Sequence, residues 1–289
     1  MQRVIPFSTE DPNAPPELGP REFAQIRKLM EARTGVHLTE AKGALVMARL
    51  GRRLRELRLR SYRDYMAHLD AHPAEEIAEL VDRLLTNETR LFREGWQFDF
   101  LEQTIVPLWR KEAGASLDRS LRIWSAACST GEEPASLAAV MDARFPVSEG
   151  YRVTILATDL SSRALAAART LTFPIARGQD IPPSYARYFE DVRPDRMRLR
   201  ASSSRLIRFE PMNLLAPSVP AASFDLILCR NVLIYFTRET KRQVIDHMWR
   251  ALKPGGFLFV GHAESLVGVI EGQRPVKPAI YLKPLSVRS

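Results

Sequence analysis

The residue types best suited to chemistry lie where short apolar runs stop. The run at 121–127 opens into Ser125-Ala126-Ala127-Cys128-Ser129-Thr130-Gly131-Glu132-Glu133-Pro134, where small side chains, one glycine and two carboxylates meet the start of a helical pattern. Small residues let a backbone approach a ligand closely, and a helix N-terminus adds N–H donors. The segment lacks the G-x-G-x-x-G spacing of a pyrophosphate cradle, and its two carboxylates disfavour such an anion. A ligand with a cationic amino group and a sulfonium suits this charge better. Read alone, Glu133 is a capping residue first and a ligand contact second, because Thr130-x-x-Glu133 fits a capping box and Pro134 the first helical turn. A second run ends in Thr158-Asp159-Leu160-Ser161. A carboxylate at that tip can accept from both hydroxyls of a ribose, and the competing role of N-cap falls equally well to Ser161 or Ser162. A further run, 224–229, ends in Arg230-Asn231, which belongs at the same sheet edge as Gly131 and Asp159.

These tips need a scaffold, and the periodicity supplies one. Apolar runs at 121–127, 153–157, 206–209, 224–229, 257–260 and 279–282 alternate with helical patterns at 132–145, 162–170 and 238–252. Such alternation predicts an α/β fold with a parallel sheet covered on both faces, whose ligands bind beyond the carboxyl ends of the strands. Leu252-Lys253-Pro254-Gly255-Gly256-Phe257 reads as a helix stop and tight turn before a strand. Residues 173–204, with four prolines and alternating character at 196–200, are too long for a plain loop and predict a small inserted subdomain of antiparallel strands. Upstream, from about 21 to 112, the pattern is helical: Phe23, Ile26, Leu29 and Met30, then Leu45, Met47, Leu50, Leu54 and Leu57, then Ile77, Leu80, Val81, Leu84 and Leu85. Ser61 fits a cap and Pro73 a first helical turn.

Composition narrows the classes. With 45% hydrophobic residues, the chain of 289 can build two cores, and no window approaches the ~18 apolar residues of a membrane span. The first 20 residues lack the apolar core of a secretory signal and read as a flexible lead-in. Cys128 and Cys229, both read as inside apolar strand-like runs, are too few for a disulfide framework or metal cluster, so buried free thiols, a reducing cytoplasm and no metal are expected. A net charge of +8 favours acidic partners. Arg49, Arg52, Arg53, Arg55, Arg58, Arg60 and Arg63 crowd one helical segment, which alone reads as a solvated face or an RNA-binding surface.

One segment is more specific. Thr86-Asn87-Glu88-Thr89-Arg90-Leu91-Phe92-Arg93 resembles the N-x-T-x-F-F-R signature of the CheR family, the chemotaxis receptor glutamate methyltransferases, with Leu91 in place of the first aromatic. The resemblance continues in order through Ser125 to Pro134, Asp159, Asn213-Leu214-Leu215, the CRNVLIYF stretch from Cys229 to Phe236, and Gly261-His262-Ala263-Glu264-Ser265. It implies a class I, Rossmann-like S-adenosylmethionine methyltransferase domain at 93–289 with the β-subdomain inserted at about 173–204, preceded by an all-helical receptor-docking domain at 21–92. It also implies that Asn87, Thr89, Arg93, Ala127, Glu133, Asp159, Asn213, Leu214, Arg230 and Asn231 bind S-adenosylmethionine, with Asp159 on the ribose and Asn213 and Leu214 around the adenine. Arg93 and Tyr235 are the implied catalytic residues; without the resemblance, Arg93 reads as a solvated or interdomain arginine and Tyr235 as core.

A receptor glutamate is already ionised at neutral pH and a sulfonium methyl is already activated, so no general base is required. The products are a glutamate methyl ester and S-adenosylhomocysteine. Arg49, Arg52, Arg53, Arg55, Arg58 and Arg60 are expected to dock on the acidic helical bundle of methyl-accepting receptors, at cytoplasmic arrays beneath the membrane. The inserted stretch from Tyr188 to Asp195 lacks the glycines of family members that grip a receptor's tail pentapeptide, so tail-independent binding is expected. The protein is expected to be a monomer and to bind no nucleic acid. The rival readings are an RNA or small-molecule methyltransferase, disfavoured by Arg230-Asn231-Val232-Leu233 in place of an Asn/Asp-Pro-Pro-aromatic motif, and a non-catalytic cofactor-binding regulator. His262 is expected to be structural.

Overall fold

The computed structural model describes residues 16–115, 119–266, 268–269 and 275–285. Of the expected lead-in, 1–15 lies outside the described residues, and a helix already begins at Pro20. The chain divides into two compact units, one running to Arg33 and then from His37 to Leu85, the other formed by Thr34–Val36 and the residues from Thr86 onward.

The first unit holds helices α1 (Pro20–Thr34), α2 (Gly43–Glu56), α3 (Tyr62–Ala71) and α4 (Pro73–Leu84). Ser61 caps α3, its hydroxyl accepting from the Asp64 N–H at 3.1 Å, and Pro73 opens α4. In α2 the fully buried stripe is Val46, Leu50 and Leu54, while Leu45, Met47 and Leu57 are half-buried. An i, i+4 row forms one face, and its sequence neighbours point about 100° to either side. One charged pair lies in this core: Glu76, 1% exposed, accepts from Arg53 Nε and Nη2 at 3.1 and 2.7 Å. Burial pushes the Glu76 carboxyl up, but the Arg53 guanidinium overrides it and holds it below the usual range.

In the second unit, α5 (Gly95–Phe100) runs through a π-helical turn at Leu101–Ile105 into α6 (Val106–Ala115). Then come β1 (Ser120–Ala126), α7 (Glu132–Arg144), β2 (Arg152–Asp159), α8 (Ser162–Ala168), β3 (Thr172–Pro174), β4 (Phe189–Arg193), β5 (Arg196–Leu199), α9 (Ala201–Ser204), β6 (Ile207–Pro211), β7 (Phe224–Cys229), α10 (Arg238–Ala251), β8 (Leu252–Val260), β9 (Pro275–Lys277) and β10 (Ile280–Leu282). The large sheet has the order β6-β2-β1-β7-β8-β10-β9, and its first five strands are parallel. Register explains why the runs are mainly apolar. Ile155, Ile123, Leu226 and Phe257 align across one face and pack with Leu137 and Met141 of α7; Trp124, Ile227 and Leu258 align across the other and pack with Val244, Ile245 and Met248 of α10. With both faces covered, the central positions of these strands are mostly apolar, and charged residues such as Arg122 and Asp225 fall near the strand starts.

Three details depart from expectation. The sheet is mixed, because β10 pairs antiparallel with β8 and with the unanticipated β9. Strand β8 begins at Leu252 directly after α10, with an irregular register against β7 in place of a separate tight turn; Gly255 at φ +78° makes that irregularity possible. Cys128 lies just beyond β1 rather than inside it; both cysteines are buried free thiols. The insert forms a three-stranded antiparallel sheet, β3-β5-β4, as its alternation suggested. No helix among the described residues is long and apolar enough to cross a membrane.

Candidate active site

Parallel register brings the strand tips together: Ala126 of β1 aligns with Thr158 of β2 and Cys229 of β7, so Ala127, Asp159 and Arg230 leave the sheet side by side. Around this edge the backbone repeatedly turns left-handed, at Phe92 (φ 48°), Glu94 (58°), Ala127 (62°), Ser129 (52°) and Asn231 (57°). Non-glycine residues in that region each cost on the order of 1–3 kcal/mol, and such strain gathers at functional sites. Gly131, at φ +95°, is also bare where α8 packs: a Cβ there would lie 3.0 Å from the Cα and Cβ of Ala168.

Asp159 is buried and ties two segments together, its Oδ2 accepting from Ser129 N–H at 2.8 Å and its Oδ1 from Ser161 N–H at 2.9 Å. Ser161 takes the capping role, accepting from Ala164 N–H at 3.0 Å. Asn213 and Leu214 follow β6 just beyond Met212, whose N–H donates to the Asp159 carbonyl at 3.0 Å. Asn213 Oδ1 accepts from Leu215 N–H at 3.0 Å, while Leu214 is buried.

Glu133 does not form the capping box. The N-cap of α7 is Gly131 with no side-chain bond, and the Thr130 hydroxyl donates to Glu132 at 2.6 Å. Glu132 in turn pairs with Arg177. The Glu133 carboxylate accepts instead from Ser125 Oγ at 2.7 Å and from Arg230 Nη1 at 3.2 Å. A partner brought in by tertiary structure outcompetes the local cap. Arg230, with its side chain 2% exposed, also approaches Glu94 at 3.4 Å, donates to the Arg93 carbonyl and lies 5.8 Å from the Phe98 ring centroid, while its Nε is buried without a partner. Burial pushes the Glu133 carboxyl up, and Arg230 and Ser125 only partly offset it. Burial also acts on Glu94, but Arg230 together with the His262 N–H brings that carboxyl below its ordinary value.

Glu94 is the residue that sequence reasoning missed. Beyond Arg230, its Oε1 accepts from Asn231 Nδ2 at 3.2 Å, and both its oxygens accept from His262 N–H at 3.1 and 3.2 Å. Its only sequence signal is adjacency to the Asn87–Arg93 stretch. His262 contributes its backbone, with its ring edge-on to Trp96 at 6.2 Å. Tyr235 is half-buried at the end of a short 3-10 turn, after buried Leu233 and Ile234, which is 52% exposed.

The segment from Asn87 to Arg93 is bound to the same edge by its backbone. The Asn87 carbonyl accepts from Ser129 Oγ at 3.0 Å; Phe92 N–H donates to Ser136 Oγ at 2.9 Å. Thr89 and Arg93 are half-buried, and the Arg93 guanidinium donates to the Glu88 carbonyl at 3.0 Å. No group of metal-ligating side chains occurs among the described residues.

In the helical unit the arginines divide by environment. Arg49 donates to the Leu84 and Leu85 carbonyls at 2.7 and 3.2 Å, and Arg53 holds Glu76, so both knit helices together. Arg52, 78% exposed, pairs only with Glu56 one turn on, while Arg55, Arg58, Arg60 and Arg63 are exposed.

The family model described as CheR methyltransferase, SAM binding domain, matches residues 87–280, and that described as CheR methyltransferase, all-alpha domain, matches 21–85. The chain is 37% identical to chemotaxis protein methyltransferase 2 of Pseudomonas aeruginosa over 90% of its own length and 92% of that protein. It is 31% identical to a chemotaxis protein methyltransferase of Borreliella burgdorferi over 91% of its length and 94% of that protein. A crystal structure of the DszA carbon methyltransferase aligns at a TM-score of 0.35 and 16% identity, covering 70% of this chain and 40% of that one. Through both of its units, this chain belongs to the CheR family of S-adenosylmethionine-dependent methyltransferases.

Proposed function

We propose that the chain methylates glutamate side chains of chemotaxis receptors, converting S-adenosylmethionine to S-adenosylhomocysteine. The observation that carries this reading is the convergence, at one sheet edge, of Glu133, Asp159, the turn after β7 and the Asn87–Arg93 segment. Bound there, S-adenosylmethionine supplies an activated methyl group.

The chain's own residues then bind and orient. Asp159 meets the ribose hydroxyls, Asn213 and Leu214 flank the adenine, and Glu133 meets the amino end with a carboxylate that Ser125 and Arg230 orient. Asn87, Thr89, Ala127 and Asn231 complete the cofactor's surroundings, and Arg230 acts mainly through the carboxylates it holds. Arg93 and Tyr235 are assigned to the acceptor side. The planar guanidinium of Arg93, held here by one bond to a carbonyl, is free to re-aim its remaining donors at a glutamate carboxylate. Since that carboxylate is already ionised, positioning supplies most of the rate, and the scheme calls for neither a base nor a metal.

The partner is the acidic helical bundle of a receptor's cytoplasmic part, met by the exposed arginines of the helical unit at membrane-associated arrays, with no nucleic acid involved. Arg52, Arg55, Arg58 and Arg60 are the docking residues; Arg49 and Arg53 support them from within. Docking is independent of a tail pentapeptide, consistent with the short β4–β5 hairpin, whose turn lacks glycine. Binding of the five-residue tail by calorimetry would overturn this last point. Incubation with methyl-labelled cofactor and receptor cytoplasmic fragments tests the whole: base-labile label on glutamate supports it, label on RNA favours the rival enzyme, and binding without transfer favours a non-catalytic regulator.

A further inference from the structure

One buried carboxylate at this edge has no part in the scheme above. Glu264, 1% exposed, points its oxygens at backbone N–H groups: Oε2 accepts from Asn231 and Gly261, both at 2.7 Å, and Oε1 from Ile234 at 3.1 Å. Two of those donors belong to the turn that runs from Asn231, in the left-handed region, to half-buried Tyr235. Such a turn is strained at its start and has few intrinsic bonds, so something outside it must hold its shape. A carboxylate suits the task, since two oxygens with two lone pairs each can satisfy several converging N–H groups. A carboxamide cannot, because its nitrogen would face a donor. The fit is close: a Cβ on Gly261 would lie 2.7 Å from Glu264 Oε2 and from Asn231 Nδ2, and 2.9 Å from Asn231 N. Glu94 accepts from the Asn231 side chain, so this residue is held by backbone and side chain at once. Burial pushes the Glu264 carboxyl up, and the backbone donors offset part of that.

We infer that Glu264 is a positioning residue, which locks the Asn231–Tyr235 turn through the N–H groups of Asn231 and Ile234 and so keeps Asn231 and Tyr235 aligned for methyl transfer. This rests on the methyltransferase reading above, with Tyr235 at the reacting end. The role belongs to the transfer step and not to receptor docking.

The test is Glu264→Gln in the full chain, with Gly261→Ala as a second route to the same displacement. For Glu264→Gln, kcat should fall on the order of 10²-fold, the loss that a displacement of about 1 Å can cause, while KM for the receptor fragment stays within about twofold. Amide hydrogen exchange, which needs no substrate, should accelerate at 231–234 with the protection of β1, β2 and α10 unchanged. Gly261→Ala should reproduce both effects. A kcat within about twofold of wild type in both variants would overturn the inference, as would exchange that rises across the whole sheet unit. If wild type itself transfers no methyl to receptor glutamate, the functional reading falls, and the exchange pattern alone decides whether Glu264 locks the turn.

Discussion

Arg230→Met removes the buried cation that joins two carboxylates. Three contacts disappear: Glu133 at 3.2 Å, Glu94 at 3.4 Å and the Arg93 carbonyl. Glu94 retains the His262 N–H and Asn231 Nδ2, but Glu133 retains only Ser125 Oγ. Glu133 therefore bears most of the damage. Removing one partner of a buried pair costs about 3–5 kcal/mol; Met refills much of the volume and Glu133 can take up a proton, so the lower end, about 3 kcal/mol, is expected. For a unit of this size each kcal/mol shifts Tm by about 2–4 °C, which puts the loss at roughly 6–12 °C. Protonated Glu133 cannot attract the cofactor's ammonium, so S-adenosylhomocysteine affinity, read by titration calorimetry, should fall with it. The diagnostic is the cycle with Glu133→Gln: the double variant should recover on the order of 1–3 kcal/mol relative to the sum of the singles, because no carboxylate is then stranded. A Tm within about 2 °C of wild type for Arg230→Met, or strict additivity in the cycle, would refute the hub assignment.

Among the clustered arginines, Arg53→Met should lower the stability of the helical unit by about 3 kcal/mol by stranding buried Glu76, whereas reversing Arg55, Arg58, Arg60 and Arg63 to glutamate should leave Tm unchanged and weaken receptor association, most visibly at low salt. Denaturation and binding measured at two ionic strengths separate these outcomes. Burial holds the Glu133 carboxyl above its ordinary 4.5, so S-adenosylhomocysteine affinity should decline as pH falls toward that raised value, with an onset above 4.5, and Glu133→Gln should flatten this limb. The stability contribution has the opposite sign: the folded state takes the proton first, so it is fully present below 4.5 and lost as pH rises through the folded value. Arg93→Ala should cut kcat on the order of 10²-fold with near-normal cofactor affinity; unchanged transfer would remove Arg93 from the acceptor side.

The parallel strands of the large sheet were legible because burial on both faces leaves each a short, mainly apolar run. Direction was not: Ile280–Leu282 looks the same parallel or antiparallel, and Pro275–Lys277, an exposed edge strand carrying proline, has no apolar pattern to read. At the site, the strand-tip positions of Asp159 and Arg230 followed from the alternation alone. The bonding did not. Thr130 and Glu133 match a capping box in sequence, yet Glu133 bonds with Ser125 and with Arg230, which lies 97 positions away, and no local pattern encodes that competition. The roles of Glu94 and Glu264 were illegible for the same reason, since Glu94 holds Arg230, Asn231 and the His262 N–H, and Glu264 the N–H groups of Asn231 and Ile234, all distant in sequence. The arginine cluster shows a more readable limit. Arg49 and Arg53, one helical turn apart, share a side of α2 that bonds with α4 and its C-terminal end, a distinction the 3.6-residue period carries and a count of charges hides.

The most direct measurement is the fate of a labelled methyl group. With methyl-labelled S-adenosylmethionine and a receptor cytoplasmic fragment carrying its methylation helices, the account predicts label on specific glutamates, released as methanol by mild base and absent when those glutamates are alanine. Label that resists base, that appears on RNA, or that persists after those glutamates are removed would contradict it.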